Sequence, residues 1–154
     1  MRIAHQNRKR RHHSQRGNVM VEFALGAFVM VLVFGGIFQF GYTFYQYNLL
    51  KTAVVDGARY ASLTTYDSNS CTPASDFQTA VQNMVVYGNP GGTGNPISPG
   101  LAPSNIVVSP SCIKGVPISM TVSITGYSIG AVFGTTTLTN KPSATYPYQG
   151  IDSP

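Results

Sequence analysis

The sixteen residues from Phe23 to Phe38 contain no polar side chain, and no charge interrupts the chain from Phe23 to Leu50. About 20 residues at 1.5 Å each cross a hydrocarbon core of roughly 30 Å, and Phe23 to Tyr42 is that long. A helix is the single-segment conformation that satisfies its own backbone in lipid, so residues 18–42 are predicted as a transmembrane helix. The pattern then changes without a break. No proline occurs between Tyr42 and Leu63, and Tyr47, Leu50, Val54, Gly57 and Ala61 recur at spacings of 3, 4, 3 and 4, one face of a helix. Asn48, Thr52, Asp56, Arg59 and Ser62 fall on the other side, with Asp56 and Arg59 placed to pair at i,i+3. Residues 43–63 are therefore read as an extension of the same helix, about 45 residues and roughly 68 Å in all if unbroken, with Gly26, Gly35, Gly36 and Gly41 as places to bend. Gly57, Ala58 and Ala61 leave little bulk on the inner face, which permits a sheet to approach closely.

Residues 64–154 follow other rules. Ile118, Met120, Val122 and Ile124 alternate with Ser119, Thr121, Ser123 and Thr125, which predicts a strand with one apolar and one hydroxyl-bearing face. Ile106–Ser109 and Leu138–Tyr146 are weaker strand candidates. A short helix is predicted at Ser75–Tyr87, capped by Ser75 or Asp76, with Phe77, Ala80, Val81, Met84 and Val85 on its apolar side. Gly88 to Pro103 is too dense in glycine and proline for a regular element. Tyr127–Thr136 is expected to connect two strands and to expose Ile129, Val132 and Phe133, either to another subunit or against the domain itself. The fold class is α+β: a long N-terminal transmembrane helix continuing into a small exported domain with a three-stranded antiparallel sheet.

Composition narrows the classes. With 154 residues the chain has room for one domain, and only 10% of residues are charged against 43% apolar. The net charge of +5 is not spread over a surface. Arg2, Arg8, Lys9, Arg10, Arg11 and Arg16 lie in residues 1–17 without an acid, while the remainder sums to −1, which removes the main support for nucleic acid as a partner. The same asymmetry holds residues 1–17 in the cytoplasm as a basic leader and sends everything beyond about residue 43 across the membrane. A secretory signal peptide is the rival explanation, but its apolar core is usually about 7–15 residues. Here the run is longer, and Phe40, Tyr42, Phe44, Tyr45 and Tyr47 after it resemble an interfacial aromatic belt.

Candidate chemistry is sparse. The two cysteines, Cys71 and Cys112, lie on the exported side and are expected to form a disulfide, worth about 4 kcal/mol in the chain-entropy model. His5, His12 and His13 are all in the leader, so no metal is expected. The exported acids Asp56, Asp67, Asp76 and Asp152 are isolated in sequence and have no histidine beside them, which predicts neither catalysis nor a cofactor. The Gly-rich stretch at 88–96 lacks the lysine of a phosphate loop. Glu22 is unusual because it abuts the apolar run, where a carboxylate needs either water or a cation. At headgroup depth it would stay solvated and favour the positive end of the helix dipole.

The basic leader ends in Gly17, and in the segment Asn18-Val19-Met20-Val21-Glu22-Phe23 that follows, a glutamate stands at the fifth position after that glycine. This resembles the processing site of type IV pilin-like precursors. Together with Ala24-Leu25, Gly41 and the block Gly57-Ala58-Arg59-Tyr60-Ala61 about 35 residues on, it is similar to the TadE-like family of the tight-adherence (Flp) pilus system. More weakly, Ser143-Ala144-Thr145 and Tyr148-Gln149-Gly150 are similar to that family's last strand.

The resemblance implies a minor pseudopilin-like protein cut between Gly17 and Asn18 by a prepilin peptidase, with the new ammonium at Asn18 meeting Glu22 of a neighbouring helix. It implies as partners the lipid bilayer, a major Flp-type pilin, other minor pseudopilins and an inner-membrane assembly platform with its ATPase. The location implied is the cytoplasmic (inner) membrane, N-terminus inside and the C-terminal domain periplasmic or otherwise extracytoplasmic. Glu22 and Phe23 are then the assembly and processing residues. Gly57–Ala61 is chiefly a packing motif, with Arg59 either a solvated partner of Asp56 or a contact to another subunit. A stand-alone single-pass envelope protein with an exported ligand- or partner-binding domain is the alternative, and a secreted soluble protein is a third reading.

Overall fold

The computed structural model describes residues 16–66, 70–131 and 134–150. The leader up to residue 15, with its histidines, lies outside the described residues, as do Asp67, Val132, Phe133 and Asp152. The fold is α+β. A long helix α1 (Arg16–Leu63) is followed by α2 (Ser75–Tyr87), a 3-10 turn (Pro103–Asn105) and five strands: β1 (Ile106–Ile113), β2 (Val116–Ile124), β3 (Tyr127–Ala131), β4 (Gly134–Leu138) and β5 (Ser143–Pro147). The described residues fall into two compact units, the first ending at Phe38 and the second beginning at Gln39.

Within the first unit, the apolar run of α1 that begins at Phe23 is exposed as far as Phe34, as are Val19, Met20 and Val21 before it. From Gly17 to Leu63, α1 is the one helix among the described residues long and apolar enough to cross a membrane, with a mean hydropathy of 2.3 over its most apolar part and none of that part buried. In the aromatic stretch that follows, Phe40, Phe44 and Tyr45 are exposed, but Tyr47 packs against the domain core and leaves the expected belt.

In the second unit the core lies between α1, α2 and one face of the three-stranded sheet, whose order is β1-β2-β5, antiparallel throughout. Leu50, Val54, Ala58 and Ala61 of α1 are fully buried, as the spacing predicts. Ser62, expected on the polar side, is buried as well, and its Oγ donates to the Arg59 carbonyl at 2.8 Å. A hydroxyl that satisfies itself on the preceding turn can be buried at little cost. The element that comes close to Gly57 is α2 and not the sheet: a Cβ there would collide with Val85 Cγ2.

Helix α2 occupies the residues its periodicity predicts, and it buries Phe77, Val81, Val85 and Val86. The expected cap is corrected. Ala74 takes the N-cap position with no side-chain hydrogen bond, because Ser75 is already helical and its hydroxyl donates to Asp76 Oδ1 instead. Gly88 closes the helix in the left-handed conformation at φ 68°, its N–H donating to the Met84 carbonyl.

The first hairpin turns at Lys114-Gly115, both with positive φ (54° and 86°), the geometry that matches the twist of adjoining strands. Strand β2 alternates as predicted at Met120, Val122 and Ile124, all fully buried. Ile118, expected on the same inner face, is 46% exposed. The cause is a bulge: Ser111 pairs with Ser119 but Cys112 pairs with Pro117, which leaves Ile118 unmatched and reverses the alternation beyond it.

Two strand readings need correction. Tyr127–Thr136 is not a connector, because Tyr127–Ala131 and Gly134–Leu138 form a second antiparallel hairpin. Tyr127 and Ile129 alternate with Ser128 and Gly130, and the alternation buries Ile129 at 4% exposure. Leu138–Tyr146 is not one strand. Asn140 takes a positive φ of 53°, its side chain accepting from the Thr125 hydroxyl at 2.7 Å, so β4 stops at Leu138 and β5 starts at Ser143.

The end of α1 is held by the last described residues. The Gln149 N–H donates to the Ser62 carbonyl at 2.9 Å, and the Tyr148 hydroxyl donates to the Thr64 carbonyl at 3.1 Å while accepting from the Tyr66 N–H at 2.8 Å. These bonds serve carbonyls that a helix terminus leaves without intrahelical partners.

Candidate functional site

Two features are candidates: the start of α1 and the surface where its later turns meet the domain. At the start, Gly17, Asn18, Glu22 and Phe23 are all helical and exposed, Phe23 at 76%. The first turn of α1 contains no acidic residue, so Glu22 sits beyond the reach of the dipole effect expected for it. Instead it stands on a helix flank among Val19, Met20 and Val21, each more than half exposed. A carboxylate on such a surface has to meet either water or a cation from another molecule.

Farther along, the block Gly57–Ala61 divides by side. Gly57, Ala58 and Ala61 are buried, Tyr60 packs partly against the core, and Arg59 is exposed. Asp56 is exposed one turn earlier, and no ion pair joins it to Arg59 among the described residues. Arg59 instead lines a cleft of about 350 Å³ together with Ser62, Leu63, Tyr146, Pro147 and Gln149.

Cys71 and Cys112 are joined as a disulfide with Cα atoms 5.9 Å apart, which fastens the segment before α2 to the end of β1. Tyr66, fully buried nearby, meets Phe77 and Tyr148 edge-on at centroid distances of 5.5 and 6.2 Å.

A buried polar group absent from the sequence reading lies on α1. Gln46 and Ser98 are buried; the Ser98 hydroxyl donates to Gln46 Oε1 at 2.8 Å and lies 2.8 Å from the Tyr127 hydroxyl, which bonds the Pro99 carbonyl at 3.0 Å. Gln46 Nε2 donates to the Tyr42 hydroxyl at 3.1 Å. The network pins the glycine- and proline-rich loop and the second hairpin to the helix, beside a cleft of about 210 Å³. The signal that could have found it is Gln46 itself, four residues before Leu50 on the apolar stripe. Every buried side-chain polar atom among the described residues has a hydrogen-bond partner. Nor do the described residues hold a group of three or more His, Cys, Asp or Glu side chains that could bind a metal.

Residues 17–59 match the family model described as TadE-like protein. No curated protein and no solved structure matches the chain. The matched stretch runs from the glycine before the apolar helix to Arg59, so it holds the Val-Glu-Phe block and the first three residues of the second block. This similarity is to a family of the Tad pilus system, and it lies on one helix rather than on the β-rich part of the domain.

Proposed function

We propose that this protein is a minor pseudopilin-like component of Tad/Flp pilus biogenesis or of a related secretion system, single-pass in the cytoplasmic membrane with its folded domain outside. The observation that carries the reading is a helix bare of intramolecular cover over its apolar half, within the stretch that matches the TadE-like model. Lipid, or the helices of sister subunits, supplies the missing cover. On this reading a prepilin peptidase cuts between Gly17 and Asn18, and the major pilin, other minor pseudopilins and the inner-membrane platform with its ATPase are partners in assembly.

The cut would have a direct electrostatic effect. It removes the six leader cations and leaves one ammonium at Asn18, four residues before Glu22. Between staggered neighbouring helices that ammonium supplies the cation Glu22 lacks, and the attraction grows as the pair leaves water. Gly17 suits the cut because glycine weakens the first helical turn, which has to open for a protease to reach the peptide bond.

Intact-mass analysis of protein purified from membranes tests the reading. Loss of residues 1–17 is expected; a full-length chain would support the stand-alone envelope protein instead, and a chain beginning beyond about residue 42 a secreted one. Glu22→Ala is expected to leave membrane insertion unchanged and to weaken co-purification with sister pilin-like subunits, and undiminished recovery of those subunits would count against the role assigned to Glu22.

A further inference from the structure

The two edges of the three-stranded sheet are finished differently. Ladder geometry fixes which backbone groups point outward, because in an antiparallel pair alternate residues exchange both hydrogen bonds. The Ile124 N–H donates to the Pro142 carbonyl and the Tyr148 N–H to the Ile118 carbonyl. Ala144 and Tyr146 therefore turn their backbone groups toward β2, while Ser143, Thr145 and Pro147 turn theirs away from it. On β1 the same parity turns Ile106, Val108 and Pro110 outward.

The β1 edge is closed. Pro110 has no N–H to offer, the Ile106 carbonyl accepts from Gln82 Nε2 at 3.1 Å, α2 packs alongside, and the disulfide ties Cys112 to the segment before α2. The β5 edge shares only the proline, at Pro147 where the strand ends, and among the described residues it carries neither a side-chain bond to its outward groups nor a disulfide. Among the described residues nothing bonds the outward N–H groups of Ser143 and Thr145, and both residues are exposed. An open strand edge is a template for another strand.

Charge indicates which kind of strand. Arg59 and Pro147 share the cleft at one end of β5, and Lys141, also exposed, lies just before the other. No acidic side chain lines the cleft, and the Arg59 guanidinium makes no hydrogen bond or ion pair among the described residues. We propose that the outer edge of β5, with Arg59 and Lys141 at its ends, docks an extended segment of a partner protein that carries acidic side chains flanking uncharged residues. Backbone pairing with Ser143 and Thr145 supplies the attachment, and the two cations select the sequence. This goes beyond the assembly reading and does not rest on it.

The test uses the full-length, disulfide-bonded protein in lipid nanodiscs and two synthetic peptides, Glu-Thr-Val-Thr-Val-Thr-Glu and its counterpart with lysine at both ends. The acidic peptide is expected to slow hydrogen exchange at the Thr145 amide about tenfold or more and to leave Val108 on the opposite edge unchanged. Arg59→Gln should weaken that peptide about fivefold, as for loss of an exposed ion pair. Ser143→Pro, at the first residue of the strand, removes an outward donor but no bond to β2, and should weaken binding about tenfold without lowering the melting temperature. The proposal is overturned if neither peptide slows exchange, if the lysine peptide does so equally, or if both variants bind as the parent does. Slow exchange without peptide that depends on protein concentration would also overturn it, in favour of pairing between two copies of this chain.

Discussion

At Gly26 and Gly36 an added Cβ would meet nothing within 4 Å, whereas at Gly57, on the same helix, it would collide with Val85. One residue type thus answers two demands. In the first unit the apolar side chains of the helix are exposed among the described residues, so its small residues leave room for lipid or a second helix. In the second unit Gly57 lets α2 come close enough for Val81 and Val85 to be fully buried. The exposed apolar half is built for company and the buried half for self-sufficiency, and the disulfide and the Ser98 network belong wholly to the latter.

Three changes sharpen or break this contrast. The largest effect is expected from replacing Cys71 and Cys112 with serine, which should cost the domain about 2–5 kcal/mol in chemical denaturation while leaving membrane insertion as before. An unaltered denaturation midpoint would show that the disulfide is not part of what keeps the domain self-sufficient. Next, Gly57→Leu should destabilise the same domain by about 1–3 kcal/mol, and pairing it with Val85→Ala should recover part of the loss, measured as the coupling in a double-mutant cycle. Strictly additive losses would remove Val85 as the cause. Smallest, Gly26→Leu should change domain stability by less than about 0.5 kcal/mol; a larger shift would mean the two units are energetically coupled.

Legibility in the sequence followed the reach of each signal. Helix α2 and the buried stripe of α1 depend on neighbours three and four positions apart, so periodicity found them. The second hairpin is hard to read from the order of residues because Gly130 and Gly134 lower the strand propensity, although Tyr127 and Ile129 keep the alternation of a strand. The bulge at Ile118 had no local mark: it arises from a count of residues on two strands at once. Of the candidate sites, the residues of α1 could be named from their order, but the bond between Gln46 and Ser98 joins residues 52 positions apart, and the cleft beside Arg59 draws on residues as distant in the chain as Gln149.

By itself the order of residues determined the apolar length of the first helix, the side of it that seeks cover, and the separation of a basic leader from an almost neutral remainder, because each is a sum or a period along one segment. Which element fills the groove at Gly57, which edge of the sheet is left open, and whether Arg59 finds Asp56 or faces a cleft were decided only in three dimensions. Those outcomes depend on distances between segments that are remote in the chain, and packing and strand pairing set such distances only after every segment is in place.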